Sequence, residues 1–108
     1  MKILHLKLNK QCFEMIASGK KKEAYRDCKA FWWSRLVEYG DYENFEVTKF
    51  RQYDAIEFMN GYWKGAPRKL VECKGITIGH GNHDWGATGK QFIIKLGEIL
   101  TLAENVKA

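Results

Sequence analysis

Between Ser18 and Arg35 a helical pattern stops at Gly19, three lysines follow, and an alternating pattern begins at once. A chain built this way must pass from helix to strand through a tight turn that carries charge. Six of the 18 Lys+Arg residues and two of the four Trp lie in this stretch. The like charges of Lys20, Lys21 and Lys22 repel one another unless solvent, an acid or an anionic ligand offsets them, and the nearest acids are Glu23 and Asp27.

Read as a strand, Lys22 to Asp27 places Lys22, Ala24 and Arg26 on one face and Glu23, Tyr25 and Asp27 on the other. Lys21 in the turn and Arg26 in the strand are then placed to converge on a phosphate or carboxylate, Arg26 supplying a bidentate fork. The plain alternative is a solvated basic turn, with Arg26 paired to a carboxylate inside the fold.

Upstream, Leu4 and Leu6 alternate with Ile3, His5 and Lys7 as in a half-buried strand. Asn9 is placed to cap a helix running through Met15 and Ala17, with Phe13 and Ile16 inward and Gly19 as its stop. Downstream, Lys29 to Val37 predicts a short second helix. Its adjacent Trp32 and Trp33 point about 100° apart, one toward the core and one free to stack on a base. Glu38 to Arg51 has no clean period and reads as a variable connection with a strand or turn. Ala55 to Met59 reads as a buried strand ending in the Asn60-Gly61 turn, and Arg68 to Ile78 as a long strand with Gly75 as a bulge. Gly79 to Lys90 is a glycine-rich loop, expected to be mobile and to close as a lid carrying Trp85 over the cleft of Lys21 and Arg26, with a plain connection that tucks Trp85 into the core as the equal alternative. Phe92 to Leu96 is the final strand, followed by a short helix or frayed tail.

The spacing Gly19-x-Lys21 with Arg26 five residues on resembles the Gly-x-Lys-x-x-Glu-x-Arg signature of the ASCH domain (activating signal cointegrator homology). Three of four positions match; Ala24 stands where the pattern has Glu, and the acid sits one place earlier as Glu23. Tyr25-Arg26-Asp27, Phe31-Trp32, Tyr53 to Phe58, Asn60-Gly61-Tyr62, Glu72 to Gly75 and Ile94 to Gly97 extend the resemblance over nearly the whole chain, in the small stand-alone form found in bacteria and their phages.

That resemblance implies an α+β fold: a PUA-like small mixed β-barrel of five to six strands with two or three short helices, in a single domain. It also implies a cationic cleft built around Lys21 and Arg26 that binds single-stranded or structured RNA, or a nucleotide-like small molecule. The ligand-binding set expected is Lys21, Arg26, Glu23, Tyr25, Asn60, Tyr62 and Trp85. Some members of the family are amidohydrolases acting on N4-acetylcytidine and others resemble ribonucleases; in either case Lys21 is the catalytic candidate. The hydroxyl that the amidohydrolases carry at the position of Ala24 is absent, which closes that nucleophilic route.

Composition agrees with a single domain that has an anionic partner: 108 residues, 45% hydrophobic, formal charge +5 and a sequence pI near 9.1. No apolar run approaches the roughly 18 residues of a membrane helix, so a cytoplasmic protein without membrane association is expected. Cys12, Cys28 and Cys73 have neither disulfide nor zinc-knuckle spacing. Reduced thiols are the simpler reading, and a lowered pKa at Cys28 beside Lys29, making it a nucleophile, is the less favoured alternative. His80-x-x-His83 lacks a third ligand, and no metal or other cofactor is expected.

Overall fold

The computed structural model describes residues 1–61 and 63–100. Ten elements follow in chain order: β1 (Ile3–Leu8), α1 (Lys10–Ala17), β2 (Glu23–Asp27), α2 (Ala30–Leu36), β3 (Val37–Asp41), β4 (Glu46–Phe50), β5 (Ala55–Asn60), β6 (Arg68–His80), a 3-10 turn (His83–Trp85) and β7 (Lys90–Ile99). The fold is α+β. Five strands form a mixed sheet in the order β1-β5-β6-β7-β2, and β3 pairs with β4 in a separate hairpin.

By the density of their contacts the residues divide into two units. One comprises Met1–Lys22, Tyr53–Lys74 and the segment from Leu96, and the other Glu23–Gln52 and Gly75–Lys95. β6 and β7 each run through both.

In the first unit, β1 lies parallel to β5 with Leu4 opposite Ile56 and Leu6 opposite Phe58, and β5 is antiparallel to β6 with Ile56 opposite Val71. These five side chains are buried, as are Phe13 and Ile16 from α1. The alternation read from β1 therefore sets which face it buries. α1 begins where expected: the Asn9 side chain accepts from the Cys12 N–H at 2.8 Å, a cap worth about 1 kcal/mol. It ends at Ser18, and Gly19 takes φ +83°, a conformation that glycine adopts without steric cost.

In the second unit, β2 is antiparallel to β7, with Ala24 opposite Ile94 and Arg26 opposite Phe92. Leu36 and Val37 are buried where α2 passes into β3. The segment 38–51 forms a hairpin rather than a variable connection. Asn44 donates from its side chain to Asp41 at 2.7 Å and from its backbone at 3.3 Å, and these bonds hold the Asp41 carboxyl below its usual range. Trp33 packs on Tyr42 and Phe45, and Phe45 and Phe50 on Phe92, so an aromatic series supplies the order that periodicity does not show. Two further boundaries differ from expectation. β6 continues to His80, and β7 runs from Lys90 to Ile99 where a shorter strand and then a helix or tail was predicted.

Candidate functional site

The turn after α1 is held by its own backbone. Gly19 N–H donates to Ile16 O and Lys21 N–H to Met15 O, both at 3.0 Å. The three lysines consequently part company: Lys20 and Lys22 stay exposed, while Lys21 is only 5% exposed. Lysine is seldom buried to this degree. Its ammonium lies 3.7 Å from the Cys12 Sγ on α1, a contact with no precedent in the signature spacing.

Lys21 helps line a pocket of about 200 Å³, whose other walls are Ile16, Gly19, Lys22, Val71 and Leu96 to Ile99. All of these belong to the first unit. The volume falls below the roughly 300–1,000 Å³ of pockets that enclose a whole drug-sized ligand, so it suits one moiety of a larger molecule. The far wall is fixed by Glu72, which accepts from the Glu98 N–H at 3.2 Å beside Gly97. A side chain at Gly97 would run into the Glu72 carboxylate. Asn60 is not among the lining residues; its N–H donates to Pro67 O at 2.9 Å and closes the loop after β5.

Glu23, Tyr25 and Trp85 are brought together in the second unit. The Tyr25 hydroxyl donates to Glu23 at 2.7 Å and accepts from the Asn82 N–H at 2.9 Å. Burial pushes the phenol up to about 12; the Glu23 hydrogen bond adds to the rise and the Asn82 N–H opposes it. Trp85 packs against Tyr25, Ala87 and Ile93. Asn82 caps the 3-10 turn by accepting from Asp84 N–H at 2.8 Å, and Gly86 closes it in the left-handed region at φ 100°. The stretch read as a loose glycine-rich loop is thus a strand end followed by a capped turn, pinned to β2. Gly81 sits where any side chain would collide with the Tyr25 ring.

Arg26 is partly buried. Its Nη1 donates to the Tyr25 carbonyl at 2.6 Å, and its guanidinium lies 5.1 Å from the Trp32 ring centre. Trp32 and Trp33 are both half-buried, so α2 does not divide them into one core and one exposed ring. Trp33 serves the aromatic series, and Phe31 on the same helix is the exposed ring, at 55%. The Arg35 guanidinium stacks on it at 3.7 Å. An i, i+4 aromatic and arginine pair could have signalled this contact in the sequence.

Cys28 follows the simpler reading of an inert thiol and not the activated alternative. Burial raises its pKa and outweighs the opposing charge of Lys90, while Lys29 pairs instead with Asp27 at 3.7 Å. His80 and His83 are exposed, and among the described residues no three His, Cys, Asp or Glu side chains cluster as metal ligands do. Tyr62 lies outside the described residues. No described helix is long and apolar enough to cross a membrane.

No protein-family model matches the chain, and neither the curated proteins nor the solved structures include one significantly similar to it.

Proposed function

We propose that this chain is an ASCH-type, PUA-like binding module of the cytoplasm whose ligand is RNA or a nucleotide-like molecule. The observation that carries the reading is Lys21: a lysine 5% exposed that contributes to the wall of a pocket sized for one moiety. A phosphate or a polar base edge entering the pocket meets a wall that includes this lysine, whose ammonium can donate a charge-assisted hydrogen bond. Arg26, in the second unit with its guanidinium beside Trp32, is the other cation of the signature and is suited by its planar fork to a phosphate. The resemblance of Gly19, Lys21 and Arg26 to the ASCH signature supports the same reading, as does the formal charge of +5.

Binding is preferred to catalysis because Ala24 has no hydroxyl and is fully buried. Isothermal titration of the protein with cytidine monophosphate and with a short single-stranded RNA tests the proposal. Heat of binding that disappears in Lys21→Met supports it, and the absence of binding to either ligand overturns it.

A further inference from the structure

The lysine in the pocket wall has a nucleophile beside it that the binding role does not use. Cys12 lies in the first turn of α1 and Lys21 in the turn after that helix, yet the ammonium comes within 3.7 Å of the sulfur across nine positions of sequence. Backbone bonds hold both partners: the Cys12 N–H donates to the Asn9 side chain at 2.8 Å, and the Lys21 N–H to Met15 O at 3.0 Å. Two reactive side chains are thus fastened to one short helix so that they meet.

Their exposures differ. Cys12 is half-buried, within reach of a small oxidant in solvent, whereas Lys21 is 5% exposed and stays beside the sulfur instead of ranging through water. A thiol that solvent reaches next to a cation is the kind that peroxide oxidises. Cys28 is placed otherwise: its Sγ donates to the Lys90 carbonyl at 3.5 Å, burial raises its pKa, and it belongs to the second unit. All three cysteines are free.

We propose that Cys12 and Lys21 form a peroxide-driven covalent switch, a sulfenamide cross-link that removes the charge of the buried lysine. In the first step the thiol gives two electrons to hydrogen peroxide and becomes a sulfenic acid, with release of water. In the second, the Lys21 ammonium loses a proton to solvent and its nitrogen attacks the sulfur. A sulfur–nitrogen bond forms and the sulfur–oxygen bond breaks, the hydroxide taking a second proton from the nitrogen and leaving as water. Proximity replaces a collision between separate molecules, and the flexible four-carbon stem of lysine lets the nitrogen close the remaining distance. Lys21 has other interactions besides this thiol, and the cross-link requires none of them to be absent. The product nitrogen is uncharged, so ligand binding in the pocket is switched off, a consequence that rests on the binding role proposed above. A dithiol reverses the link by supplying two electrons and two protons and leaving as a disulfide.

Tandem mass spectrometry of the intact chain, treated with hydrogen peroxide, alkylated at its free thiols and digested, tests the link. The expected product joins Cys12 to Lys21 with the loss of two hydrogens and disappears with dithiothreitol. Lys21→Met should halt at the sulfenic acid, trapped on Cys12 by dimedone, and Cys28 should remain an alkylated thiol throughout. Isothermal titration with cytidine monophosphate and a short single-stranded RNA reads the consequence. Heat of binding should be lost after peroxide and regained after dithiothreitol, while Cys12→Ser should bind alike before and after peroxide. No cross-link in the wild type, a disulfide from Cys12 to Cys73, or a bridge that retains the oxygen overturns the sulfenamide. A cross-link that leaves the heat unchanged overturns the switch. If the reduced wild type binds neither probe, the pocket reading falls, and the cross-link still stands or falls on its mass.

Discussion

The backbone N–H of Asn82 donates to the Tyr25 hydroxyl at 2.9 Å across 57 positions of sequence, and that one hydroxyl also donates to Glu23 at 2.7 Å. Tyr25 is therefore the point at which the segment after β6 is fastened to β2. Tyr25→Phe removes the acceptor of Asn82 and the donor to Glu23 while keeping the ring. The expected cost is about 1–3 kcal/mol, because partly buried polar groups lose their partners. Urea denaturation measures it, and amide exchange should quicken at Asn82 to Ala87. A variant as stable as the wild type with unchanged exchange would show that the fastening lies elsewhere.

Alkaline pH acts on the same phenol. Its pKa in the fold is about 12 against an ordinary 10, so between these values the folded chain keeps a proton that the unfolded chain releases. Protons are then bound more by the folded state, and stability falls as pH rises through that window, being fully present below about pH 10. The difference in urea midpoint between wild type and Tyr25→Phe, followed from pH 9 to 11, should shrink as pH rises. A constant or growing difference contradicts the assignment.

What the sequence made legible were features decided locally. Leu4 and Leu6 alternate because β1 buries one face, Asn9 caps because its oxygen reaches a neighbouring N–H, and Gly19 turns because nothing else adopts its φ cheaply. Tyr25 and Glu23 were placed on one strand face, and they meet there. The missed features are those created by distant partners. Segment 38–51 takes its order from aromatic contacts reaching Phe92, and the glycine-rich stretch takes its order from Tyr25. Lys21 was singled out as a ligand contact, but a run of three lysines reads as a solvated face, and only the backbone bonds of the turn decide which one goes inside.

Trp85 separates a lid from a structural ring. Packed on Tyr25, Ala87 and Ile93, it should behave as part of that cluster, and Trp85→Ala should destabilise the protein by about 3 kcal/mol. Chemical denaturation reads the loss. Affinity reduced at unchanged stability would restore the lid.

At Gly81 the space itself is the constraint. A methyl group there would press into the Tyr25 ring, which cannot retreat without breaking its bonds to Glu23 and Asn82. Gly81→Ala should cost about 1–3 kcal/mol by overpacking. In Gly81→Ala combined with Tyr25→Phe the two losses should be less than additive, since the freed ring can shift. Strict additivity in a double-mutant cycle would place the strain somewhere other than this contact.

Ala24 bears on whether the nucleophilic route of the resembling amidohydrolases is open to this chain. Its side chain is fully buried opposite Ile94 in the β2–β7 ladder, and a methyl group can neither attack a carbonyl nor hold a water for attack. Incubation with N4-acetylcytidine should release no acetate above the buffer control, as followed by chromatography. Ala24→Thr introduces a hydroxyl, but it adds volume in a filled position and should cost about 1–3 kcal/mol before any activity appears. Turnover by the wild type would replace the proposed binding role with an enzymatic one, and would require a nucleophile other than residue 24. Turnover by Ala24→Thr alone would instead show that the remaining groups are already arranged for hydrolysis and that one missing hydroxyl keeps the site a binding site.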